Sequence, residues 1–412
     1  FLGGHLVGRA IEDRLARRES ARETLRRLVL GGAFLEATVQ SFGTNSMIRS
    51  ADGFFPHVFM PDFHGPHFEE ALRRVALPGR GPNILYFSVT GECPSACEYC
   101  FAGAGGGVKE DIGDEAVLDV ARKVAALRVP LVNLSGGEPM TRFGRILDAT
   151  RILSEGCEVR MFTGGFGLTL GRLAELRDAG LRGVFVSLDT EDEATFDARR
   201  RKEGAFRAAT EALRLCARQG MPTFINCVVG PGRFRDREEI ARFLRFVEGL
   251  HPAIVVNFLP QLHTGRGAET ESFRKPEDCH GVARRIVRTA AEMGRPVSML
   301  FGRVDRELGC PGAGGKLMNV DIRGNVTVCI SRASLGNLLE EPFDRIYDRF
   351  VRRCNRLKVG FFCCDVSERE SDELLDPEDS RAALNAFFSR APDSEVQKAV
   401  DRLGWALDLA FR

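Results

Sequence analysis

A unit of one strand followed by one helix repeats from Asn83 to about Gly294, and it limits the possible folds more than any other feature. Six apolar runs have the length and the β-branched or aromatic content of buried strands, and segments with helical spacing separate them. The predicted strands are Ile84–Thr90, Leu131–Leu134, Glu158–Phe162, Gly183–Leu188, Thr223–Val229 and Ala253–Leu259. Alternating units of this kind form parallel sheets with right-handed crossovers. The repeat therefore predicts an α/β fold, a partial TIM-like (β/α)6 barrel.

Three cysteines follow the first predicted strand within eight residues. They are Cys93, Cys97 and Cys100, on a loop at the strand end where α/β barrels place their chemistry. Thiolates this close together suit a soft metal or an iron–sulfur cluster, and three ligands leave one iron of a four-iron cluster accessible. A zinc site normally has a fourth ligand at comparable spacing, and none lies nearby. Buried structural cysteines are the other interpretation, but the spacing favours a cluster.

This Cys-x3-Cys-x2-Cys spacing, with the aromatic Tyr99 before the last cysteine, resembles the signature of the radical S-adenosylmethionine (SAM) enzymes. The resemblance implies a [4Fe-4S] cluster on Cys93, Cys97 and Cys100, the catalytic cysteines, with SAM chelating the remaining iron and Tyr99 packing near the adenine. It further implies that an electron from the cluster cleaves SAM to methionine and a 5'-deoxyadenosyl radical, which abstracts a hydrogen atom from the substrate. The fold implied by the family is the same partial barrel.

Later strands end in segments that resemble the family's SAM-binding elements. After the second strand, Gly136 and Gly137 allow close backbone approach to a ligand, and Glu138 either holds the chain or accepts from an ammonium group. The resemblance implies that this element binds the methionine amino group, and that the ends of the later strands and the turn after the sixth also contact SAM. The other implied contacts are Pro139, Thr163, Ser187, Asp189, Asn226 and Leu259. For the residues that follow the third and fourth strands, a helix N-cap is the alternative.

The stretch from Arg200 to Phe206 resembles the Arg-x3-Gly-x-Phe element that some family members use to bind the SAM carboxylate. Arginine suits this task because its planar fork meets two carboxylate oxygens. Arg201 is an alternative to Arg200, and a solvated charge run is the other interpretation. In the fifth strand, Cys227 donates a hydrogen atom only if it faces the cavity, since a buried free cysteine is usually a small core residue.

Five cysteines follow the predicted barrel: Cys310, Cys329, Cys354, Cys363 and Cys364. Residues 321–329 predict a hairpin with a turn at Arg323-Gly324-Asn325. A cysteine, then a hairpin with Gly-x4-Cys, is similar to the auxiliary-cluster extension called SPASM, or to its half-sized version, twitch. The full SPASM pattern needs about seven cysteines, so the resemblance implies one auxiliary [4Fe-4S] cluster, on Cys310, Cys329 and two of the other three. A structural cluster or a zinc site stays an alternative.

Four parts are predicted in chain order. They are a helical N-terminal extension (1–80), the partial barrel (81–300), a small α+β domain of SPASM or twitch type (301–366) and an acidic, then helical C-terminal segment (367–412). The extension turns irregular from Gly43 to His67, where Gly, Pro and aromatic residues concentrate. Its arginines and acids indicate a solvated amphipathic helix pair, with a leader-peptide docking surface or a membrane face as alternatives.

The composition of the chain bears on the cellular compartment of the protein and on the classes of partner that it binds. The 412 residues carry a net charge of +1, which gives no argument for nucleic acid or an anionic membrane. Twelve irregularly spaced cysteines in a chain with βα patterning indicate a reducing, cytoplasmic compartment. Neither a secretory signal nor an apolar run long enough to span a bilayer is present. Because the chain starts at Phe1 rather than Met, an upstream segment and an anchor within it stay open.

These features predict an oxidoreductase-like radical SAM enzyme that modifies a side chain of a ribosomally made peptide or protein. Its electrons would come from a reductant such as ferredoxin or flavodoxin. A twitch-type dehydrogenase that oxidises a small molecule is the first alternative. A non-catalytic iron–sulfur protein for electron transfer or cofactor insertion is an alternative of another class, and the set of SAM-binding motifs argues against it.

Overall fold

The computed structural model describes residues 48–50, 53–55, 58, 60–62, 65–68, 70, 71, 74, 81–105, 112–261, 265–271, 273, 276–299, 317–328 and 334–354. The predicted helix pair near the N-terminus and the segment 367–412 lie outside these residues. Strands are numbered β1–β12 and helices α1–α8 in chain order.

A ten-stranded sheet forms the body of the described structure. Its strands are β3 (Ile84–Ser88), β4 (Leu131–Ser135), β5 (Glu158–Thr163), β6 (Leu181–Ser187), β7 (Thr223–Val229), β8 (Val255–Pro260), β9 (Val297–Met299), β10 (Leu317–Val320), β11 (Asn325–Val328) and β12 (Ser334–Asn337). They lie in the order β12-β11-β10-β3-β4-β5-β6-β7-β8-β9. Each strand from β10 through β3 to β9 runs parallel to its neighbour. Strands β3 to β8 confirm the six predicted strands to within two residues at either end.

Helices follow the parallel strands as the repeat predicts, and their apolar faces form one hydrophobic core with the outer face of the sheet. Asp192 and Asp236 cap two of them by accepting hydrogen bonds from Thr195 N (2.8 Å) and Glu239 N (2.9 Å). The helices are α1 (Asp114–Ala126), α2 (Phe143–Ser154), α3 (Leu170–Asp178), α4 (Glu193–Arg200), α5 (Ala205–Arg218), α6 (Arg237–Leu250), α7 (Pro276–Glu292) and α8 (Phe343–Cys354), with 3-10 turns at Pro139–Arg142 and Gly265–Glu269.

The barrel interior is filled at its amino-terminal end. Four aromatic rings, on β3, β5, β6 and β7, pack ring against ring with centroids 4.5–5.3 Å apart: Tyr86, Phe162, Phe185 and Phe224. Below them the fully buried Arg160 pairs with Glu158 at 2.6 Å and donates to the carbonyl oxygens of Val58 and Met60. Burial of this ion pair is tolerated because carbonyls and a carboxylate satisfy its charge.

Two hairpins flank the barrel strands in sequence. Strands β1 (Ile48–Ser50) and β2 (Gly53–Phe55) pair antiparallel, so the prediction of irregular structure was wrong there. The register places Ile48 opposite Phe55 and Ser50 opposite Gly53, so main-chain pairing orders a stretch whose composition alone indicates loops. The hairpin predicted around Gly324 is confirmed, because β10 and β11 pair antiparallel. Strand β10 also joins the barrel sheet beside β3, with Leu317 opposite Ile84. The four domain limits remain predictions.

Candidate functional site

The cysteine loop, defined here as residues 91–105, leaves the carboxyl end of β3. Cys97 is buried, and Cys93 and Cys100 are half-buried. Burial, together with the negative charges of Glu138, Cys97 and Cys100, raises the pKa of the Cys93 thiol to about 11, although a backbone hydrogen bond from Ser95 opposes the rise. Burial also raises the pKa of Cys97, an effect opposed by the Arg200 guanidinium. Charge on a neighbouring thiolate therefore raises the pKa of both Cys93 and Cys97. Both free thiols are protonated at neutral pH, so metal binding there must release protons.

Among the described residues, no three His, Cys, Asp or Glu side chains converge as ligands of a single metal ion. A four-iron cluster does not require its ligands to converge on one ion, because each cysteine binds a separate iron at its own corner. Three neighbouring thiols on one loop suit that chemistry better than they suit one tetrahedral ion.

Gly136 and Gly137 lie directly on the backbone of the cysteine loop. A Cβ on Gly136 would come 2.3 Å from Thr90 O, and one on Gly137 would come 2.1 Å from Glu92 O. Instead, Gly137 N donates to Thr90 O at 2.6 Å, and Glu138 N donates to Glu92 O at 2.7 Å. The two glycines are therefore required for the close packing of the two loops, and their contact with a ligand stays a prediction.

The carboxylate of Glu138 accepts hydrogen bonds from neighbouring protein groups. Its Oε1 accepts from Thr163 Oγ1 at 2.6 Å and from Met140 N at 3.2 Å, and its Oε2 accepts from Gly164 N at 2.6 Å. Burial raises the pKa of Glu138, while these three donors favour the ionised form. Of the two predicted roles, holding the chain is the one seen here. Pro139 follows as the first residue of a 3-10 turn and is buried.

Arg266 also holds the cysteine loop, whereas the sequence predicted only that the turn containing it contacts SAM. Its Nε donates to Cys97 O at 2.8 Å, Nη1 to Gly103 O at 3.0 Å and Nη2 to Ala104 O at 2.6 Å. The preceding Gly265 is required, since a Cβ there would lie 2.3 Å from Cys100 O. The only sequence signal was an arginine between two glycines after β8, which does not identify the carbonyls it binds.

Replacing Arg266 with alanine is expected to destabilise the fold by about 2–4 kcal/mol, because three carbonyls lose a charged donor. Arg266→Lys should recover only part of this, since an ammonium lacks the planar fork. Urea unfolding measures the change. The control is Arg245→Ala, which removes an exposed ion pair with Glu238 and should cost less than about 1 kcal/mol. Equal effects of Arg266→Ala and Arg245→Ala would contradict the assignment.

Asp189 connects the fourth strand end to the cysteine loop. Its Oδ2 accepts from the Tyr99 hydroxyl and from Arg200 Nη2 at 3.4 Å, and its Oδ1 accepts from Val228 N at 2.8 Å. Burial raises the pKa of Tyr99 well above its ordinary value, so the phenol stays protonated and donates. Protein groups therefore donate hydrogen bonds to both carboxylate oxygens. In this structure Asp189 links the end of β6 to the cysteine loop and does not cap a helix.

Arg200, at the end of α4, is the predicted SAM-carboxylate residue, and it lies against the cysteine loop. Its Nη1 is 3.5 Å from Cys97 Sγ, while the alternative residue Arg201 is exposed. Arg200 Nε is buried and has no hydrogen-bond partner in the described part of the chain. A buried donor of this kind calls for an acceptor. The donor beside three thiols therefore fits a carboxylate ligand such as that of SAM.

The remaining predicted contacts line the carboxyl ends of β6 to β8. Ser187 is half-buried opposite Asn226, whose Oδ1 accepts from Asn257 Nδ2 at 2.9 Å. Leu259 is half-buried at the end of β8. Cys227 points instead into the hydrophobic core formed with the helices, which favours the core interpretation over hydrogen donation.

Most of the predicted ligands of the auxiliary cluster cannot be placed relative to one another within the described part of the chain. Cys310, Cys329, Cys363 and Cys364 lie outside the described residues, and Cys354 is the last residue of α8. No helix within the described residues has the length and apolar character needed to cross a bilayer.

The fold and the loop define a class of protein, a partial α/β barrel that presents three neighbouring thiols at the carboxyl ends of its strands. Residues 87–244 match the sequence model of the Radical SAM superfamily. Its members bind a [4Fe-4S] cluster and SAM.

Curated relatives match the same part of the chain. The chain is 28% identical over 194 residues to the AdoMet-dependent heme synthase of Methanosarcina barkeri, covering 46% of this chain and 54% of the relative. It is 30% identical to the PqqA peptide cyclase of Methylocella silvestris (36% and 40% covered) and 31% identical to the GTP 3',8-cyclase of Moorella thermoacetica (48% and 61% covered). The chain thus spans between two fifths and three fifths of these relatives' lengths.

Solved structures share the fold. Streptococcus suis SuiB bound to S-adenosylmethionine superposes with a TM-score of 0.54 at 14% identity, covering 68% of this chain and 69% of that one. The protein anSMEcpe with bound AdoMet gives a TM-score of 0.52 at 16% identity, covering 77% of this chain and 99% of that one. The predicted partial-barrel fold is confirmed by this similarity.

Proposed function

We propose that this protein is an enzyme that cleaves SAM reductively and abstracts a hydrogen atom from a bound substrate. The observation that carries the proposal is the buried, unpartnered Nε of Arg200 beside the three thiols of one loop. Cys93, Cys97 and Cys100 would hold a [4Fe-4S] cluster. When bound, that cluster supplies the electron that splits SAM, and the resulting 5'-deoxyadenosyl radical takes the hydrogen atom.

The protein groups around the thiols orient the ligands and limit their motion. The Arg200 fork bridges Cys97 and Asp189, which leaves Nε as the donor for the SAM carboxylate. Glu138 fixes the loop that contains Gly136 and Gly137. The backbone of this loop lies beside the cysteine loop, where the methionine amino group would bind. Asn226 is half-buried with its Oδ1 already engaged by Asn257, so its amide nitrogen is the group left to donate to SAM.

For the substrate, we favour a side chain of a ribosomally made peptide or protein. The PqqA peptide cyclase among the relatives supports this choice. Oxidation of a small molecule is the second candidate, and the GTP 3',8-cyclase among the relatives supports a small-molecule substrate. The genes beside this one discriminate, since a short precursor-peptide gene supports the first and sugar or lipid pathway genes the second. A ferredoxin or flavodoxin as reductant and a cytoplasmic location complete the proposal.

Anaerobic reconstitution with iron and sulfide, followed by dithionite and SAM, tests the proposed chemistry. We expect 5'-deoxyadenosine and methionine in equal amounts. A protein that holds the cluster and binds SAM yet yields no 5'-deoxyadenosine would instead be a non-catalytic iron–sulfur protein.

We further propose one auxiliary [4Fe-4S] cluster on Cys310, Cys329 and two of Cys354, Cys363 and Cys364. It would accept an electron from the substrate radical or bind the substrate. Cys329→Ala is therefore expected to lower the iron content by one cluster while sparing much of the SAM cleavage. Iron analysis and 5'-deoxyadenosine assays measure both quantities. If a folded Cys329→Ala variant lost SAM cleavage as completely as Cys97→Ala, this division of roles would be wrong.

A further inference from the structure

The end of helix α4 is fastened to the cysteine loop on both sides of Cys97. Ala96 N donates to Arg200 O at 3.1 Å, and Glu98 N donates to Arg199 O at 3.1 Å. Arg199 Nε also pairs with Glu98 Oε1 at 2.8 Å. These contacts fix Cys97 and Arg200 relative to each other through the main chain.

The guanidinium of Arg200 is held in position by two aromatic rings and by Asp189. Its Cζ lies 4.8 Å from the centroid of the Phe196 ring and 5.4 Å from that of Tyr99, and the side chain is largely buried. Nη2 is held by Asp189, so Nη1 faces Cys97 Sγ at 3.5 Å. The cation beside this sulfur is therefore held in place by the protein and needs no ligand to position it.

We propose that Arg200 is a positioning residue for the cluster itself: it orients the Cys97 sulfur and raises the reduction potential of the cluster. This inference rests on the proposed function and goes beyond a role in binding the SAM carboxylate. Reduction adds one electron from dithionite or a ferredoxin to the cluster and transfers no proton. A fixed cation and an N–H donor at the sulfur stabilise the added negative charge, and both effects set cluster potentials.

The test is a redox titration of the reconstituted full-length protein without SAM, followed by electron paramagnetic resonance. Arg200→Gln removes the charge and the Nη1 donor. We expect the ratio of reduced to oxidised cluster at a fixed potential to fall about tenfold, which is about 59 mV for one electron. Arg200→Lys, which keeps the charge, should fall between Arg200→Gln and the wild type. The exposed neighbour provides the control, and Arg201→Gln should match the wild type.

The outcomes separate the alternatives. An unchanged potential in Arg200→Gln together with weaker SAM binding would assign Arg200 to the SAM carboxylate alone and overturn the inference. Loss of iron from a folded Arg200→Gln variant would support the positioning of Cys97, and Arg200→Lys would then report the potential. If Arg200→Lys retained its cluster at the wild-type potential in that case, the proposed effect on potential would be wrong. A wild-type protein that takes up no cluster would refute the proposed function instead.

Discussion

Replacement of Cys97 with alanine is expected to abolish SAM cleavage. Cys97 is the most buried of the three loop thiols, and its sulfur lies beside Arg200. Loss of a ligand should cost more than the roughly 10–100-fold that loss of an outer-shell partner costs in metal affinity or activity. We therefore expect iron equivalent to one cluster to be lost and 5'-deoxyadenosine to fall to background.

The matched control is Cys157→Ala. Cys157 is also a buried free cysteine, but it precedes β5 and so lies at the opposite end of the parallel strands from the cysteine loop. Its removal should leave iron content and 5'-deoxyadenosine formation close to wild type. Full SAM cleavage by a Cys97→Ala variant would show that the cluster is held elsewhere.

Gly137→Ala should lower SAM cleavage nearly as much as Cys97→Ala does, although it adds only a single methyl group. The new Cβ would lie 2.1 Å from Glu92 O and 2.6 Å from Glu92 C, so the two loops must separate. Overpacking of this kind costs about 1–3 kcal/mol. The hydrogen bonds of Gly137 N and Glu138 N to the cysteine loop would also weaken. A displacement of about 1 Å in a reacting geometry can cost about a hundredfold in rate.

We expect Gly137→Ala to lower both the unfolding free energy and the rate of 5'-deoxyadenosine formation, measured by urea titration and by product assay. Gly144→Ala is the control, because a Cβ at this position in α2 meets no atom within 4 Å. That change should leave the rate unchanged and stabilise the helix by up to about 1 kcal/mol. Wild-type behaviour of Gly137→Ala would mean that the loops are not packed as described.

The sequence predicted the barrel well because its strands are buried runs bounded by turns, which carry a strong local signal. Helix α4 was not predicted, since it has only eight residues, half of them charged, and buries only Phe196. This helix nevertheless carries Arg200 to the cysteine loop. Its stability comes from the Asp192 cap and from packing against that loop, and neither appears in a local pattern.

The site was located by motif spacing, but the partners of its side chains were not. Spacing placed Glu138, Asp189 and Arg200 at strand ends or just beyond them, as the family resemblance implied. It could not show that Glu138 binds Thr163 or that Tyr99 binds Asp189, because these pairs are 25 and 90 residues apart in sequence. The hydrogen bonds of Arg266 were missed for the same reason, since its partners are about 160 residues earlier.

Electron paramagnetic resonance of the dithionite-reduced full-length protein, recorded with and without SAM, tests the central claim most directly. If one iron of the cluster on Cys93, Cys97 and Cys100 is left for SAM, adding SAM should change the signal of one cluster. The change should persist in Cys329→Ala and be absent in Cys97→Ala. A reduced, iron-loaded protein whose signal does not respond to SAM would contradict the account.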